Sequence, residues 1–173
     1  MSTKLDRLKK RVLTLQNQIA QIEKRPQRNY DLVPREPRAA EKPCDFTIEF
    51  DGGTSSNNPK AYGNGYGSFQ INGGEVHRVK FGPGHSCNSA EIRTLIAGLK
   101  ELYSMTEAQN VTVMARGDSK IALKWVSCKK PPKESTSEGF RDAIRQLRIV
   151  VAQFKRVKTE WRGRAESVRL FGH

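Results

Sequence analysis

The stretch from Phe46 to Ile71, FTIEFDGGTSSNNPKAYGNGYGSFQI, constrains the fold more than any other. Phe46, Ile48 and Phe50 alternate with Thr47, Glu49 and Asp51, the period of a strand with one face buried. Asp51 falls where the alternation stops, and Gly52-Gly53 allow a tight turn beside it. Asn57-Asn58-Pro59 and the glycines Gly63, Gly65 and Gly67 lead into a second strand, YGSFQI. A carboxylate at the mouth of a strand, uncrowded by side chains, suits a metal ion. A hairpin with a solvated aspartate suits the same residues, and this stretch alone does not choose.

Residues 75–81 (EVHRVKF) alternate again after a turn at Gly73-Gly74, which predicts a third strand and an antiparallel meander. Gly82-Pro83-Gly84 breaks the pattern, and Asn88 or Ser89 can cap a helix from about Ala90 to Met105. On that helix Glu91 shares a stripe with Leu95, Gly98 and Leu102, which aims it at the sheet. The alternative is a first-turn glutamate that favours the helix dipole. VTVMARG (111–117) reads as a fourth strand with Asp118 at its end, followed by a helix, SKIALKWVS. Asp118 suits both helix cap and metal ligand, and the two roles are compatible.

A short basic loop, Lys129-Lys130-Pro131-Pro132-Lys133, precedes a helix over about 137–156. Its apolar stripe is Phe140, Ile144, Leu147, Val151 and Phe154, and Arg141, Arg145 and Arg148 lie elsewhere, as a solvated face. VKTEW (157–161) is a last strand and RGRAESVRLFGH the tail. Residues 44–173 are thus expected to form one α/β domain, a mixed five-stranded sheet flanked by helices. If the first and fourth strands are neighbours, Asp51, Glu91 and Asp118 converge at one edge.

Ahead of this domain, Leu5, Leu8, Val12, Leu15, Ile19 and Ile22 form a heptad seam, which predicts an amphipathic helix within residues 1–25. A helix this short needs a partner, and homo-oligomerisation through residues 4–25 as a coiled coil is the expectation, with docking on the folded domain as the alternative. Residues 26–43 contain four prolines and read as an extended linker. The net charge of +13 favours a polyanionic partner, nucleic acid ahead of a membrane surface. Residues 1–43 hold eleven Lys/Arg against five Asp/Glu, or +6, which leaves +7 for the remainder. Three cysteines without a CxxC pair read as reduced thiols in the cytoplasm. No apolar run is long enough for a membrane span.

FDGGTSSNNP with a following GYGSF, then NSAEIRTLIAGLKEL, then VMARGDSK, then a terminal strand with Trp161 stand in order over residues 46 to about 161. In this ordered set the domain resembles a type 1 ribonuclease H. The resemblance implies that Asp51, Glu91 and Asp118 are catalytic and bind divalent metal, Mg²⁺ with Mn²⁺ as a substitute. It further implies an endoribonuclease acting on the RNA strand of RNA/DNA hybrids. Phosphodiester hydrolysis needs an activated water, a neutralised phosphate and a stabilised leaving oxygen, which a two-metal site provides, and Mg²⁺ prefers hard oxygen ligands. By position in the motifs, Gly52, Asn58, Asn88 and Lys120 are candidates for substrate contacts; turn, cap or surface roles would account for them equally.

The sequence departs from that family at its end. A fourth acid is expected at the start of a closing helix, but Phe171 stands at the aligned position and the closing helix is expected to be stunted or missing. His173 is the preferred substitute ligand, ahead of Glu166 and the terminal carboxylate. A catalytically weak or silent hybrid-binding module with the same fold is the alternative function.

Overall fold

The computed structural model describes residues 11–14, 16, 43–56, 62–134 and 136–172. The chain divides into two compact units, Met1–Glu41 and Lys42–His173. In the first, residues 11–14 and 16 are helical; the rest of the heptad segment and residues 26–42 of the linker lie outside the described residues.

The second unit is built on β1 (Phe46–Thr54), which pairs antiparallel with β2 (Gly63–Ile71) and parallel with β4 (Thr112–Gly117). With β3 (His77–His85) and β5 (Arg156–Trp161) the sheet runs β3-β2-β1-β4-β5, five strands of mixed direction. Helices α1 (Cys87–Met105) and α2 (Lys120–Ser127) pack against the sheet, α3 (Glu138–Val151) packs on α1 and α2, and a short α4 (Arg164–Phe171) follows β5. Ile48, Phe50 and Phe69 from the sheet meet Ile92, Leu95, Leu99 and Leu102 of α1 and Ile144 and Leu147 of α3 in one core. No helix among the described residues is long and apolar enough to cross a membrane.

Several boundaries differ from expectation for local reasons. β1 does not end at Asp51 and Gly52-Gly53 make no turn: the strand runs on to Thr54, with Gly52 opposite Gly67 and Gly53 opposite Tyr66. Gly52 is required instead by packing, since a Cβ there would lie 2.8 Å from the Glu91 Cα and from the Thr94 Oγ1. The β2–β3 turn is centred on Asn72-Gly73, both at positive φ, the type I′ pairing that suits a hairpin. Gly82-Pro83-Gly84 do not end β3; the two glycines take positive φ and carry the strand to His85 across an irregular register.

Helix α1 begins earlier than Asn88 or Ser89 would place it. Ser86 is the N-cap, its hydroxyl accepting from the Ser89 N–H while the Ser89 hydroxyl accepts from the Ser86 N–H. Glu91 therefore sits in the second turn, beyond the range of a dipole role. α3 stops at Val151 rather than 156, because the chain turns at Ala152–Lys155 to enter β5, and Phe154 still reaches the core from that turn. Arg148 is not merely solvated: its Nη2 donates to the Cys128 carbonyl at 2.8 Å and to the Lys130 carbonyl at 2.5 Å, pinning the basic loop. The closing helix is short but present, capped by Gly172 at φ +78°.

Candidate metal centre

Asp51 lies two residues beyond Glu49, the last β1 residue paired with β4. Asp118 lies one residue beyond the end of β4, so both acids stand at the mouth of the same parallel seam. Helix α1 crosses β1 at Gly52 and brings Glu91 over them. One carboxylate oxygen from each of Asp51, Glu91 and Asp118 lies within 4.8 Å of the others. The three acids expected to converge do so.

Burial and charge tune Glu91. Its pKa is raised from 4.5 to about 7, first by burial and then by the negative charges of Asp118 and Asp51. A hydrogen bond from Ser119 and the positive charge of Arg164 act in the opposite sense. Glu91 Oε2 is buried with no hydrogen-bond partner in the described structure. A buried carboxylate with one oxygen lacking a donor, grouped with two further carboxylates, fits a hard divalent cation better than it fits a folded state without one.

Ser119, rather than Asp118, caps α2: its hydroxyl accepts from the Ala122 N–H at 3.1 Å. The same hydroxyl reaches Glu91, so a single side chain fixes the start of α2 and one carboxylate of the cluster, and the Asp118 carboxylate is left for the cluster. Trp161 Nε1 donates to the Asp118 carbonyl at 3.0 Å, which ties the end of β5 to this corner. Lys120 Nζ lies 4.9 Å from the centroid of the Trp161 ring, at the rim of the site. Beside Asp51 on the sheet face opposite α1, Glu49 receives Gln70 Nε2 and pairs with Arg162 Nη1 at 2.5 Å.

Of the other expected site residues, Gly52 underlies Glu91 and Asn88 is exposed on the first turn of α1. Asn58 and His173 lie outside the described residues. Glu166 pairs with Arg162 at 3.6 Å and is not part of the carboxylate cluster. Phe171 is 3% exposed and packed as an apolar residue. Ser119 and Arg164 were not anticipated. The only sequence signal for Ser119 was that Asp118-Ser119 offers two candidate caps ahead of one helix.

The mixed five-stranded sheet in the order β3-β2-β1-β4-β5, flanked by helices, is a type 1 ribonuclease H fold. No family profile and no curated protein sequence matches the chain. Solved structures do match. Ribonuclease H1 from the halophilic archaeon Halobacterium salinarum NRC-1 is 20% identical with a TM-score of 0.58, over 72% of this chain and 89% of that one. The N-terminal ribonuclease H domain of rv2228c from Mycobacterium tuberculosis, solved as a fusion with maltose binding protein, is 23% identical with a TM-score of 0.58, over 74% and 91%. LC11-RNase H1, solved in complex with an RNA/DNA hybrid, is 16% identical with a TM-score of 0.57, over 72% and 89%. At these identities the likeness is one of fold.

Proposed function

We propose that this protein is a metal-dependent endoribonuclease that hydrolyses the RNA strand of RNA/DNA hybrids. The observation that carries the reading is the meeting of Asp51, Glu91 and Asp118, with Glu91 Oε2 buried and unpartnered. The net charge of +13 supports a polyanionic substrate, and one protein of the same fold has been solved with a hybrid bound. Asp51, Glu91 and Asp118 would hold Mg²⁺, or Mn²⁺ in its place, and when bound such ions supply an activated water, a neutralised phosphate and a stabilised leaving oxygen. The protein's own part is orientation. Ser119 holds the Glu91 carboxylate, Trp161 holds the Asp118 backbone, and the Arg162–Glu49 pair fastens the chain between β5 and α4 beside them. Asn58, Asn88, Gly52 and Lys120 are proposed substrate contacts, and His173 a proposed fourth ligand.

A buried Phe171 at the position aligned with a fourth acid favours a second reading, a weak or silent hybrid-binding module. One assay separates the two: a labelled hybrid, an RNA duplex and a DNA duplex are each incubated with the protein in Mg²⁺ or Mn²⁺. Cleavage of the RNA in the hybrid alone is expected. Tight hybrid binding without cleavage in either metal would overturn the enzymatic reading.

A further inference from the structure

The sheet register leads sideways from the carboxylates. Asp51 pairs with Ser68, and Ser68 with Arg78; Gly53 pairs with Tyr66, and Tyr66 with Lys80. Residues directly opposite in antiparallel ladders share a face, so these are two adjacent rows across β1, β2 and β3. The face is the one turned away from α1, because the alternate residues Gly52 and Gly67 abut Glu91 and Thr94 of that helix. A hollow of about 340 Å³ lies there, lined by Tyr66, Gly67, Ser68, Arg78, Val79 and Lys80.

The composition of this hollow is not that of a core. Tyr66 reaches over β1 at Gly53, where a Cβ would lie 2.9 Å from the Tyr66 Oη, yet the residue keeps 36% of its surface open. Arg78 and Lys80 are exposed, stand two residues apart on one face of β3, and form no ion pair among the described residues. Two neighbouring cations repel each other and do nothing for packing. Beside an open aromatic ring they are the chemistry that receives a nucleotide: the ring stacks on a base, and the cations meet phosphate. Arg78 is two strand spacings from β1, about 10 Å, and is in the same row as Asp51.

We propose that Tyr66, Arg78 and Lys80 form a nucleotide subsite beside the carboxylates, gripping the strand that passes through the metal centre. This rests on the reading that a nucleic-acid strand occupies that centre. The test uses the full chain carrying Asp118→Asn, so that a fluorescein-labelled RNA/DNA hybrid survives, and reads affinity by anisotropy across a salt series. Arg78→Ala/Lys80→Ala is expected to weaken binding about tenfold or more and to flatten the plot of log affinity against log salt by about two phosphate contacts. Tyr66→Leu should lose roughly tenfold at every salt concentration, whereas Tyr66→Phe keeps the wild-type value. Unchanged affinity and slope in the double variant would overturn the subsite, as would a Tyr66→Leu loss fully explained by a lowered melting temperature. Failure of the nuclease reading looks different: with Asp118 intact no hybrid is cut, while the flattened salt slope persists.

Discussion

With no cation beside it, the Glu91 carboxyl titrates near pH 7, against 4.5 in an open chain, because burial and two neighbouring acids oppose its charge. The folded state therefore holds this proton more tightly than the unfolded state. The resulting stability is complete below pH 4.5 and is lost as pH rises through about 7. In chelator at pH 8, Glu91→Gln should be the more stable protein, by up to about 3 kcal/mol in urea unfolding. Its advantage should vanish at pH 4, and saturating Mg²⁺ should restore the wild type. The same proton competes with metal, so apparent Mg²⁺ affinity should fall about tenfold per pH unit below 7. Ser119→Ala removes a hydrogen bond to the ionised form of Glu91 and should move that midpoint to higher pH. It should also cost about 1 kcal/mol through the lost cap on α2, and Ser119→Thr should restore both. Asp51→Asn should abolish hybrid cleavage while circular dichroism and melting remain those of a folded domain.

At the scale of elements, the contact that places Glu91 is the close approach of α1 to β1 and β2. A Cβ on Gly67 would lie 1.8 Å from the Thr94 Oγ1, so Gly67→Ala should push the helix outward. A loss of about 1–3 kcal/mol is expected on thermal or urea unfolding, together with reduced metal affinity. Adding Thr94→Ala should recover part of the loss, a coupling that a double-mutant cycle would measure. The strands of the meander were legible from alternation, since half-buried strands obey period two. Their ends were not. Glycines at 52, 53, 82 and 84 resemble turn residues in one dimension, but Gly52 serves helix packing, Gly53 makes room for Tyr66, and Gly82 and Gly84 carry an irregular strand. That α4 is short rather than missing rests on Phe171 in a buried site and on Arg162 paired with Glu49, long-range contacts that the sequence alone does not show.

For the whole molecule, the three acids could be picked out because each stands at an informative place: a strand end, an apolar helix stripe, a strand-to-helix junction. Their meeting depended on β1 and β4 being neighbours, which the parallel pairing now supplies. Ser119 on Glu91 and Trp161 on Asp118 were not legible, since each joins elements remote in sequence by one polar atom. At this scale two behaviours are expected. Hybrid affinity should fall steeply with salt, as for any protein using several cations against phosphate. The heptad residues Leu5 to Ile22 should make the full chain self-associate, and light scattering should give a dimer or larger mass that reverts to the monomer on deletion of residues 1–25.

The parallel seam between β1 and β4 has one more consequence. Asp51 and Asp118 share a corner only after everything between them in sequence, the meander and α1 included, has taken its place. No hairpin or isolated helix cut from this polypeptide could retain an ion, and a ribosome-bound nascent chain would be inert until β4 docks. On the proposed reading, cation uptake would report the joining of β1, α1 and β4, and nuclease competence would arrive with that joining rather than with any one element.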